Sequence, residues 1–115
     1  MVIDDIAEFA AALPRAGALA GLDLGTVTIG VAVSDGLRSV ASPIETIKRT
    51  KFGKDADALL AICTDRDIKG IVLGLPLNMD GSEGPRCQAT RAFARNLTAR
   101  TDLPCLLYTS PSPRD

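Results

Sequence analysis

Apolar residues open the chain at helical spacing. Ile3, Ile6, Ala7, Phe9, Ala10 and Leu13 share one face and Pro14 stops the run, which predicts a short amphipathic helix over residues 4–13. The period then drops to two. Leu19–Leu24 reads as a first strand, and Thr28-Ile29-Gly30-Val31-Ala32-Val33 as a second, with large residues on one face and Gly30 and Ala32 on the other. That small face suits a closely packed helix. Asp35-Gly36 is a hairpin signal, and Val40–Ile47 is a third strand that Pro43 assigns to a sheet edge. Ala56, Leu59, Leu60 and Cys63 restore the helical period and predict a helix over residues 53–66. Ile71-Val72-Leu73-Gly74-Leu75, ended by Pro76, reads as a strand buried on both faces. Pro85 fits the first turn of a further helix, with Ser82 or Gly84 near its cap and Ala89, Ala92, Phe93 and Leu97 on its apolar face. Cys105–Tyr108 opens a fifth strand.

A strand reached through a helix normally lies parallel to an earlier one, by a right-handed crossover. The expected fold is therefore α/β: a mixed five-stranded sheet with three antiparallel strands followed by βαβ units, and helices on its faces. This is the layout of a ribonuclease H-like fold. The 115 residues allow one such domain. Its expected extent is 18–108, preceded by a helical extension over residues 1–15 and followed by a tail over 109–115.

Composition narrows the chemistry. Hydrophobic residues at 46% and charged residues at 23% describe a soluble globular chain, and no apolar run reaches the ~18 residues of a membrane span. Met1-Val2-Ile3-Asp4-Asp5 lacks the basic start of a secretory signal. Cys63, Cys87 and Cys105 are odd in number and far apart, so they read as core hydrophobes in a reducing cytoplasm. With no histidine at all, Ser-His-Asp and Cys-His catalysis and His-ligated zinc are excluded. A net charge of −1 confines any nucleic-acid contact to local basic segments.

One acid stands out. Gly21-Leu22-Asp23-Leu24-Gly25-Thr26 sets a carboxylate inside an apolar, glycine-flanked strand, where ionisation is costly without a cation or strong donors. Asp23 is read as a metal or phosphate site, against the plainer reading of a satisfied structural acid, and Gly25 as a residue free to take the positive φ of a tight turn. Two basic features accompany it. Lys48-Arg49-Thr50-Lys51-Phe52-Gly53-Lys54 gathers four cations, from which Lys51 is a candidate RNA contact and Phe52 a candidate for stacking on a base, against a merely solvated loop. Arg91 and Arg95 stand one helical turn apart and are either phosphate contacts or ordinary surface charges.

Two blocks taken together, GLDLGTVTIGVAVSD (21–35) and LGLPLNMDGSEGPRCQATRAFARNL (73–97), resemble the Holliday-junction-resolvase-like family of pre-16S rRNA nucleases over roughly residues 20–107. The resemblance implies a cytoplasmic bacterial hydrolase of ribosome biogenesis that cleaves phosphodiester bonds in precursor rRNA with Mg²⁺ or Mn²⁺, and it leaves open whether structured DNA is also a partner. It makes Asp23 the catalytic and metal-binding acid of the first strand. Gly25, Thr26, Asn78, Asp80 and Gly81 become substrate-binding candidates, Asp80 also having the plain reading of an Asx turn. Many members carry a basic residue where this chain has Val27. The family's remaining acids, after the fifth strand and in a later helix, have no counterpart here. Tyr108-Thr109-Ser110-Pro111-Ser112-Pro113-Arg114-Asp115 stands in their place and reads as a non-native Ser/Pro-rich ending on an incomplete domain, against the plainer reading of a genuine disordered tail, and this fragment is expected to be inactive. GLDLGT alone also resembles the first phosphate loop of actin-like ATPases and sugar kinases. Nucleotide binding and non-catalytic RNA binding are the competing readings.

Overall fold

A computed structural model describes residues 2–37, 41–76 and 80–109. Nine elements follow in order: β1 (Val2–Ile3), α1 (Ile6–Ala12), β2 (Leu19–Leu24), β3 (Thr28–Ser34), β4 (Ala41–Lys48), α2 (Phe52–Asp65), β5 (Gly70–Leu75), α3 (Pro85–Thr98) and β6 (Cys105–Thr109). The strands form one sheet in the order β1-β6-β5-β2-β3-β4. β2, β3 and β4 are antiparallel neighbours, whereas β5 pairs parallel with β2 and with β6, and β1 parallel with β6.

The mixed sheet agrees with the sequence pattern, but it has six strands rather than five. The extra one is Val2–Ile3, which lies beside Cys105 and Leu106 at the sheet edge. Two residues have no readable period, so only pairing with β6 defines them as a strand. The Asp5 side chain then starts α1 by accepting from the Ala7 N–H at 2.9 Å. The segment expected as a helical extension is thus joined to the sheet. At the other edge, β4 accommodates Pro43 through a bulge: Val31 pairs with Glu45 and Ala32 with Pro43, so Ile44 is skipped.

The two sheet faces are unequal. Ala20, Leu22, Ile29, Val31, Ile71, Leu73, Cys105 and Leu107 project to one side and pack with Ala56 and Leu59 of α2 and Phe93, Ala94 and Leu97 of α3. On the other side Ile3, Phe9 and Leu106 form a smaller cluster under α1, with Leu13, Leu19 and Val72. Gly70 lets α1 come this close, since a β-carbon there would lie 2.7 Å from Leu13 and 2.9 Å from Phe9. α2 and α3 therefore cover the face of large residues, not the Gly30–Ala32 face that the spacing predicted, and α1 covers the other face only near β5 and β6. β5 is fully buried on the face under α2 and α3, whereas on the other face Gly70 is buried beneath α1 and Val72 and Gly74 are half-buried.

The start of α2 shows how a buried acid is satisfied here. Asp55 is 3% exposed and accepts from the Thr50 N–H at 3.1 Å and its hydroxyl at 3.2 Å. These bonds use the residue before the N-cap in place of a capping side chain, which Lys51 does not supply.

Candidate functional site at the end of the central strand

Asp23 lies near the C-terminal end of β2, which sits between β5 and β3. Its cross-strand partner is Gly30, so nothing overhangs it from β3. The side chain is exposed rather than buried. This corrects the expectation of a desolvated strand acid: the flanking glycines open the surface around it, and its charge stays in water. Asp23 lines an open cavity of about 340 Å³ with Gly21, Gly30, Ala32, Glu45 and Tyr108. Glu45, on edge strand β4, also lines this cavity, but it pairs with Val31, whose side chain faces the helices, and the residue in register with Gly30 is Thr46.

Gly25 does not adopt a positive φ; among the described glycines only Gly17 and Gly81 do. What Gly25 provides is proximity, because its N–H donates to the Thr28 carbonyl at 2.8 Å and a β-carbon would meet that oxygen at 3.0 Å. Thr26 and Val27 are exposed at the tip of the turn.

Two arginines brace this turn from the helical side. Arg49 Nη1 donates to the Gly25 carbonyl at 2.7 Å, and its guanidinium lies 5.9 Å from the centre of the Phe93 ring. Arg86 Nη2 donates to the Leu24 carbonyl at 3.0 Å. Both line a small cleft of about 70 Å³ with Gly25, Thr26, Ala89 and Thr90. Arg86 carried no weight in the sequence reading, although a signal existed. It stands in the first turn of α3, which contains no acidic residue, so its charge opposes the helix dipole.

The other candidates are placed differently. Asp80 makes an Asx turn, accepting from the Ser82 N–H at 2.9 Å and its hydroxyl at 2.6 Å, and these bonds hold its carboxyl below the usual range. Gly81 follows with φ +85°. Arg91 is engaged by Glu83, donating through Nε at 2.9 Å and Nη2 at 2.6 Å. Lys51 is exposed beside α2, while Phe52 is not free for stacking: it packs edge-on against Phe93, 5.3 Å between centroids, with the Arg100 guanidinium over its ring. Asn78 lies outside the described residues.

The Glu83–Arg91 pair makes a titration prediction. Hydrogen bonding to Arg91 lowers the Glu83 pKa. A lowered folded-state pKa gives stability that is present above the ordinary glutamate range and lost as pH falls through the lowered value. Carboxyl NMR should place the Glu83 midpoint below that of an unpaired glutamate, and Arg91→Gln should return it to the ordinary range.

The residues present do not by themselves fit a two-ion metal centre. Among the described residues no group of three or more Asp, Glu, Cys or His side chains converges. Asp23 offers one carboxylate on this cavity, short of what two ions need. No described helix is long and apolar enough to cross a membrane.

The fold is similar to that of Thermus thermophilus RuvC in complex with a Holliday junction substrate. The TM-score is 0.58 at 14% identity, covering 81% of this chain and 64% of that one. The large terminase nuclease of thermophilic phage G20c superposes with a TM-score of 0.53 at 17% identity, over 87% of this chain and 46% of that one. The architecture is that of the ribonuclease H-like class. Residues 17–109 match the RuvX family, described as Holliday junction resolvase, and the chain belongs to that family. Its relatives include proteins named "Putative pre-16S rRNA nuclease" from Ruegeria pomeroyi, 69% identical over 103 residues, and from Paracoccus denitrificans, 68% identical over 108. The matches take in 90% and 94% of this chain but only 67% and 68% of those relatives, about two thirds of their length.

Proposed function

We propose that this chain carries the strand-borne acid and substrate surface of a nuclease that hydrolyses phosphodiester bonds in precursor 16S rRNA. The observation that carries the reading is Asp23, exposed at the end of the central strand over a glycine-floored cavity, in a chain 69% identical to a relative of that name. An open floor matters because a polynucleotide is bulky, and a carboxylate beneath it must be reached without moving backbone. Asp23 stands on an exposed surface, and the turn after it presents Thr26 beside the two bracing arginines.

Mg²⁺ or Mn²⁺ would supply charge neutralisation at the phosphate and a more acidic water. The remaining carboxylates such ions need belong, on this reading, to the third of the relatives that the present chain does not match. The substrate is RNA, and the site of action is the bacterial cytoplasm.

The test is a chimera joining residues 1–108 to the C-terminal third of the Ruegeria pomeroyi relative. With Mg²⁺ it should cleave an RNA oligonucleotide spanning a 16S precursor end, while the 115-residue chain should not. A folded chimera that leaves the RNA intact refutes the nuclease reading. Equal cleavage by the 115-residue chain refutes the need for further acids.

A further inference from the structure

We infer that Arg49, Arg86 and the Thr26 hydroxyl form a phosphate-binding cleft that holds a backbone phosphate next to the scissile one. The inference rests on the nuclease reading for its ligand, but its geometry is separate from Asp23. Asp23 faces the open side of the sheet, whereas this cleft lies on the helical side of the same strand end. A nucleic-acid strand crossing the end of β2 meets both.

Three observations converge on an anion. The two guanidiniums donate to the carbonyls of neighbouring residues, Leu24 and Gly25, and line one cleft. Neighbouring α-carbons are only ~3.8 Å apart, so the two cations are gathered onto one short piece of backbone. Next, neither arginine forms an ion pair with a carboxylate among the described residues; the pairs there use Lys69, Arg91 and Arg100. Two like charges drawn together without a counter-charge repel, and a bound phosphate would reverse that balance. Finally, Arg86 stands at the positive end of α3 with no acid in the first turn. That end of the helix adds to the field rather than opposing it.

A guanidinium has five N–H donors in a planar fork. The bond that each arginine makes to the turn fixes its orientation and leaves other donors for phosphate oxygens. Phe93 supports Arg49 from beneath, at 5.9 Å from ring centre to guanidinium carbon. Thr26, exposed on the same cleft, supplies a hydroxyl donor.

The experiment measures binding of a fluorescent 12-nucleotide single-stranded RNA to the full chain in EDTA, at several KCl concentrations, alongside Arg49→Gln and Arg86→Gln. Each substitution should weaken binding roughly tenfold, as loss of a charge-assisted hydrogen bond does. The slope of log K against log[KCl] should become shallower by ~0.7 per lost contact. Melting temperature should hold for Arg86→Gln, whose side chain is exposed. If Arg49→Gln unfolds the chain, Arg86→Gln carries the test alone. Unchanged affinity and slope for Arg86→Gln would overturn the cleft while wild-type RNA binding leaves the nuclease reading intact. A folded chimera that fails to cleave while these binding losses persist would refute the nuclease reading and keep the cleft.

Discussion

Asp23→Asn in the chimera is expected to lower metal-dependent RNA cleavage by at least ~10³-fold, equivalent to about 4 kcal/mol of barrier. The asparagine keeps the size and shape of the side chain and removes only its charge. A carboxylate that helps hold a catalytic cation cannot lose that charge cheaply, because the cation's stabilisation of the reacting phosphate is itself worth several kcal/mol. Stability should hardly move. The Asp23 side chain is exposed and makes no hydrogen bond within the described residues, and surface replacements of that kind stay within about ±0.5 kcal/mol. Cleavage assays paired with thermal melts decide the matter: lost activity at constant melting temperature supports the catalytic role, and retained activity removes it.

Leu73→Ala should have the largest effect on the fold. Leu73 is fully buried on β5, with Leu22 of β2 on one side and Leu107 of β6 on the other. The three leucines form a row across the middle of the sheet beneath the helices. Truncation leaves a cavity among strands that cannot collapse independently, at a cost of about 3 kcal/mol. For a domain of this size that lowers the melting temperature by on the order of 10 °C. A calorimetric shift below ~3 °C would mean that the row repacks and is not the rigid centre of the sheet.

Much of this architecture is legible along the chain because its signals are local and periodic. β2 occupies Leu19–Leu24 as the alternation predicts, and Pro85 opens α3. Pro43 marks β4 as an edge. What stays hidden depends on tertiary partners. Val2–Ile3 becomes a strand only beside β6, and no periodicity in β3 tells which of its faces the helices cover. Local composition misled at Asp23 as well: an acid among apolar neighbours looks buried until the glycines beside it are seen to open the surface. Phe52 resembled a base-stacking residue within a basic run, yet its ring belongs to the core edge with Phe93. Arg86 and Arg49 lie far apart in the chain, so only folding shows that they meet one turn.

The three cysteines, each buried and each in a different element, have a practical consequence. Cys63 lies in α2, Cys87 in α3 and Cys105 in β6, and burial pushes the Cys105 thiol up to about 12. An alkylating reagent attacks thiolates that solvent can reach, so the native state shields these groups. Their modification rates, separated by peptide mapping, clock how often each part of the molecule opens.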